Sequence, residues 1–302
     1  MRRLLMLGAF LLVVASLLVA LLHGGDSSAG STARSTAVPS AASTQARRVP
    51  SPPASSSSNQ VIENSSRCQV TGPPSERNLV EQLAELCQPS AATVDNAWGK
   101  AWAKGDGRRT RLVIAANTQA LAGLLDREDT KGLADTAAVT VGPEEAPAHA
   151  VFINGPAFDG LSTLGRQVVL THEMVHVATR ATGDNDAPTW LEEGFADYVA
   201  YRHTKLNADQ IAGDALDAPL PESLPTTADF NASGSKAAIA YGRSWAAVRV
   251  VAARVGGDSA MKRFYETAAQ QSLTAALRSA GFADTAAFVK AWRAEIRQLR
   301  RT

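Results

Sequence analysis

The stretch His172-Glu173-Met174-Val175-His176, followed after a short break by Trp190-Leu191-Glu192-Glu193-Gly194-Phe195-Ala196-Asp197-Tyr198, decides how the rest of the chain is read. From Leu161 to about Thr179 the apolar residues Leu164, Val168, Val169, Leu170, Met174, Val175 and Val177 spread round most of a helical circumference, so the helix carrying the motif has to be buried. At about 100° per residue the two imidazoles fall about 40° apart on one face, one turn above the other, and can share a single ion. Glu173 falls to the side, where it can reach a water on that ion without ligating it. Metal-assisted hydrolysis requires this arrangement, since the ion lowers the pKa of its water to about 7 and a carboxylate accepts the proton. Given the composition of the chain, such a pattern arises by chance about once in three hundred sequences, and three ionisable groups inside a buried helix are costly unless something satisfies them.

A catalytic zinc site takes a third protein ligand and keeps its fourth position open. A third histidine in the extended G-x-x-H pattern is excluded, because Thr179 and Thr182 stand where the glycine and the histidine belong. A carboxylate from the next helix remains, and the Trp190 to Tyr198 segment supplies candidates. Together the two segments resemble the gluzincin peptidases, the superfamily of thermolysin and the zinc aminopeptidases, in its small membrane-attached type. In that family the second helix reads W-L-x-E-G-x-A, and the Glu directly before the Gly binds zinc. The resemblance therefore implies Glu193 as the third ligand of one Zn²⁺ ion, beside His172 and His176, with Glu192 a neighbour. It implies Asp197 as the carboxylate that holds a zinc-bound imidazole by its other nitrogen. It also implies that Tyr241, in Ala240-Tyr-Gly-Arg-Ser244, donates to the oxyanion of the reaction, with Arg243 as the alternative donor. The strand around Ala150 to Asn154 corresponds to the edge strand on which such peptidases pair an extended substrate. The aminopeptidase signature G-x-M-E-N is missing, since Asn154-Gly-Pro-Ala-Phe158 does not match it. His149 and His203 read as structural or surface groups rather than ligands.

Outside this core the chain divides by composition. Arg2 and Arg3 precede an uncharged run from Leu4 to Leu22, so residues 1–23 read as a signal anchor or signal peptide. The length of the run favours an uncleaved anchor, and the arginines orient the rest outside the cytoplasm. Residues 24–66, rich in Ser, Thr, Ala and Pro, hold almost nothing to bury and read as a stalk. Residues 67–302 are long enough for one substantial catalytic domain. The net charge of +1 and the lack of a basic run with interleaved aromatics exclude a nucleic-acid partner. The two cysteines, Cys68 and Cys87, lie past the apolar segment, where an oxidising compartment would join them.

Periodicity predicts helices over Glu76–Cys87, Ala91–Ala103, Gln119–Leu125, Thr189–His203, Lys236–Val255, Ala260–Ala269 and Thr285–Arg300, and strands over Arg111–Ala116, Ala137–Val141 and His149–Ile153. Ala208 to Ser233 reads as loop-rich. Strands early and helices late make the fold α+β: a small N-terminal sheet, the buried motif helix and a mostly helical C-terminal half. The expected activity is hydrolysis of peptide bonds in a peptide or protein substrate, with Glu173 as general base. A non-catalytic binding module of the same fold, built around a structural zinc, is the alternative.

Overall fold

A computed structural model describes residues 60–103, 109–142, 150–181 and 186–301. The segments assigned above to an anchor and to most of the stalk, and His149, lie outside the described residues. Among the described residues no helix is long and apolar enough to cross a membrane.

The architecture is α+β, as expected. Five strands, β1 (Val61–Asn64), β2 (Cys68–Gly72), β3 (Thr110–Ala115), β4 (Ala138–Val141) and β5 (Ala150–Asn154), form one sheet in the order β1-β2-β3-β5-β4. The inner three strands run parallel, while β1 and β4 are antiparallel edges. Two strands, β1 and β2, have no counterpart in the sequence reading, and β1 falls within residues assigned to the stalk. The reason is composition: Val61 alone of its first three residues is buried, so the segment offers too few apolar groups to stand out from its polar surroundings.

Between β2 and β3 runs α1 (Arg77–Trp98), one unbroken helix with Pro89 inside it, where the sequence reading has two, Glu76–Cys87 and Ala91–Ala103. A proline inside a helix costs about 3 kcal/mol. Both halves nevertheless bury one continuous stripe, Leu79, Leu83, Cys87, Ala91, Val94 and Trp98, against the sheet and the motif helix, and that shared burial outweighs the local penalty. Cys87 on this stripe is joined to Cys68 on β2, as anticipated. Near the far end of α1, Arg67 pairs with Asp95 through two hydrogen bonds of 2.6 and 3.0 Å, and Trp102 Nε1 donates to the same carboxylate.

Helices α2 (Thr118–Leu124) and α3 (Gly155–Asp159) follow β3 and β5. The motif helix is α4 (Thr163–Thr179), capped by Ser162, whose hydroxyl accepts from the Gly165 amide. It packs between α1, β4 and the helix that follows, α5 (Thr189–Tyr201). The C-terminal half is helical: α6 (Ala208–Asp217), α7 (Thr227–Phe230), α8 (Ser235–Val255), α9 (Asp258–Gln270), α10 (Leu273–Ser279) and α11 (Thr285–Leu299). Two of these, α6 and α7, occupy the stretch read as loop-rich. Both are short and are started by side-chain caps, Asn207 with Gln210 and Thr226 with Asp229, rather than by a long apolar repeat.

Opening the Cys68–Cys87 bond releases a loop of sequence separation 19 in the unfolded chain. Reduction, or Cys68→Ser with Cys87→Ser, should lower the unfolding free energy by about 3 kcal/mol. Urea unfolding with and without reductant measures this, and an unchanged midpoint would count against a stabilising role.

Candidate metal centre

Helix α4 presents His172 and His176 on one face, as its periodicity requires, and α5 crosses that face with Glu193 pointing back. One ligand-capable atom from each of the three residues lies within 4.8 Å of the other two. The individual separations are 3.0 Å between the two Nε2 atoms, 3.3 Å from His172 Nε2 to Glu193 Oε2 and 3.4 Å from His176 Nε2 to Glu193 Oε1. Zinc bonds of about 2.0–2.1 Å in a tetrahedron place neighbouring ligand atoms about 3.3–3.4 Å apart, so the triangle fits a single Zn²⁺. All three residues are buried, with 1 % exposure or less. The donor set, two imidazoles and one carboxylate, suits zinc and leaves one corner without a protein ligand among the described residues.

Asp197, one turn after Glu193, accepts from His172 Nδ1 at 2.9 Å. That bond fixes the tautomer, placing the proton on Nδ1 and the lone pair on Nε2, where the cluster needs it. Burial alone would lower the pKa of His172, but Asp197 and Glu193 outweigh it and hold the imidazole well above its ordinary range. Burial pushes the Asp197 carboxyl above its ordinary range, against the lowering by His172. For Glu193 the two imidazoles overcome burial, and its carboxylate sits far below the usual range. A divalent cation reverses the direction for His172, because it takes the Nε2 lone pair in place of a proton.

The remaining side chains of the site come from further elements. Glu173 is buried, with Oε2 accepting from Thr140 Oγ1 of β4 at 2.5 Å and Oε1 meeting no protein donor. Thr140 was read in the sequence only as a strand residue. Nothing in the spacing of residues 140 and 173 signals that they meet. Tyr241 stands on α8 with its ring 6.5 Å from that of His172 and packs edge-on against Phe230. Burial first, then the carboxylates of Glu193, Asp197 and Glu173, push its phenol well above its ordinary pKa, so it remains a proton donor across the accessible range. Arg243 is directed elsewhere: its guanidinium donates to the Pro219 carbonyl. Of the two alternative donors, therefore, only Tyr241 faces the cluster. Glu192 is buried in the first turn of α5 but is not one of the clustered ligands, and His203 lies exposed beyond the helix end.

One expectation is corrected. Strand β5, at Ala150 to Asn154, is not an edge: β3 and β4 pair on its two sides and use its backbone groups. Among the described residues the strands with a partner on one side only are β1 and β4, and of the two it is β4 that packs on α4.

The position of Glu193 depends on how closely α5 and α8 approach. A Cβ on Gly194 would lie 2.4 Å from the Ser244 carbonyl oxygen, so only glycine lets the two backbones meet there. Gly242, two residues before Ser244 on α8, lets α6 in against Ala212 and Ala215 in the same way. Three neighbouring residues of α8 thus serve three purposes, with Tyr241 toward the cluster, Gly242 toward α6 and Ser244 toward α5.

No protein-family model matches this chain, and no curated protein does either.

Two outcomes follow from this geometry. In the full-length protein, Glu193→Ala should lose most of its zinc by elemental analysis, whereas Glu192→Ala should keep it; equal zinc in both would show that the wrong carboxylate was chosen. Gly194→Ala should force α5 from α8, destabilise the protein by about 1–3 kcal/mol or more, and weaken zinc retention through displaced Glu193. Unchanged urea midpoint and zinc content in that variant would refute the close-approach argument.

Proposed function

We propose that the protein is a zinc-dependent peptidase in which His172, His176 and Glu193 hold the metal, Asp197 orients His172, and Glu173 is the general base. The observation that carries this reading is the Glu173 carboxylate beside the three-ligand cluster, with one oxygen tied to Thr140 and the other without a protein partner. A purely structural zinc needs four protein ligands and has no use for such a base.

Zinc, when bound, activates a water at neutral pH and polarises the scissile carbonyl. Glu173 Oε1 takes the proton of that water and passes it to the departing amine, which requires a carboxylate that is ionised first and protonated briefly. Tyr241 donates its hydroxyl proton as a hydrogen bond to the carbonyl oxygen as charge develops there. Asp197 keeps the His172 ring from turning as that charge shifts. An extended peptide can add along β4, whose outer side is the sheet edge beside α4.

We place this chemistry in a domain that begins with the sheet and runs to the C-terminus, outside the cytoplasm and tethered or exported by residues 1–23. The Cys68–Cys87 bond supports an oxidising compartment.

Glu173→Gln should retain stoichiometric zinc and lose turnover by about 10²–10⁴-fold, because the metal ligands are untouched and only the proton carrier is gone. A peptide-library cleavage assay with elemental analysis of the same samples measures both. Wild-type turnover in that variant would remove Glu173 from the mechanism.

A further inference from the structure

The geometry points to Thr140 as the residue that positions Glu173, clamping one carboxylate oxygen so that the other is presented to the metal-side water; this rests on the peptidase reading above. Thr140 is 3 % exposed and stands on β4, 33 residues before Glu173. Its Oγ1 lies 2.5 Å from Glu173 Oε2 and 3.1 Å from the main-chain oxygen of the same residue. A threonine hydroxyl has a single proton to give. The shorter contact has the length of a hydrogen bond to an ionised carboxylate, and such bonds are the stronger kind. The hydroxyl therefore donates to Oε2, with the main-chain oxygen as a more distant second acceptor. Because both acceptors belong to Glu173, the contact fixes that side chain relative to its own backbone.

A buried glutamate otherwise keeps several rotamers open, and only some would aim an oxygen at the cluster. With Oε2 held, Oε1 is the oxygen left without a protein donor. The Thr140 hydroxyl donates directly to the Glu173 carboxylate. The location on β4 matters too. A β-branched residue is stiff at χ1 and suits a strand, so valine can replace threonine with the same shape and no hydroxyl. Serine keeps the hydroxyl and loses the methyl.

The test compares Thr140→Val, Thr140→Ala and Thr140→Ser in the full-length, zinc-loaded protein, with acetohydroxamic acid as the probe. That ligand chelates zinc and gives its hydroxyl proton to a nearby base, so its affinity reports where the Glu173 carboxylate points without requiring turnover. Thr140→Val and Thr140→Ala should keep one zinc per chain and bind the hydroxamate about tenfold or more weakly. Thr140→Ser should bind it as the wild type does. With a library peptide that the wild type cleaves, the two hydroxyl-free variants should lose kcat about ten- to hundredfold at nearly unchanged KM, and serine should restore it. Wild-type hydroxamate affinity in Thr140→Val overturns the inference and leaves the metal reading standing. Loss of zinc from both hydroxyl-free variants makes Thr140 a structural residue and also overturns it. A wild-type protein that holds no zinc overturns the metal reading itself, and the positioning role with it.

Discussion

Everything in this molecule is arranged around the cost of burying charge. His172, Glu173, His176, Glu193 and Asp197 are each exposed by 4 % or less, and they come from only two helices. Isolated ionised groups in such surroundings cost many kcal/mol, and the protein groups present do not satisfy all of them. Oε1 of Glu173 and both oxygens of Glu193 are left without a hydrogen bond of ordinary geometry from a protein donor. A divalent cation would supply what is missing: it would neutralise the carboxylate and take the two imidazole lone pairs that face each other at 3.0 Å.

The surrounding fold holds that arrangement by rigid packing. The motif helix is enclosed by α1, β4 and α5, and α5 is in turn held against α8 at a glycine where no side chain would fit. Trp98, Phe195 and Tyr265 stack together behind the site with ring centroids 5.3 to 5.7 Å apart, tying α1, α5 and α9 into one core. The disulfide secures α1 to the sheet on the opposite side. Precise placement of ligands then follows from regular elements rather than from loops.

How much of this could be read from the residues themselves varied with the range of the interaction. Helical period alone placed His172 over His176, and the spacing from Glu193 to Asp197 alone placed both on one face of α5. The glycine after Glu193 entered with the resemblance; its physical need became visible only when Ser244 was seen against it. The helices read over Glu76–Cys87 and Ala91–Ala103 are joined into one through Pro89 by burial on both sides of it. The short strands β1 and β2 and the capped helices α6 and α7 carry too little periodic signal to be recognised alone. Tyr241 and Arg243 sit two residues apart, and the sequence had no means of choosing between them until α8 turned one to the cluster and the other to Pro219.

By itself, the order of residues determined the class of the fold, the burial of the motif helix and the placing of His172 and His176 on one face, because these depend on periodicities of a few residues along one chain, whereas Glu193 entered with the resemblance. Tertiary structure alone decided which strand forms the edge beside that helix, which residue of α8 faces the cluster, and that Thr140 meets Glu173. Those are contacts between segments far apart in sequence, set by the sheet order and by how closely the helix backbones can approach, and neither quantity is encoded in any local pattern.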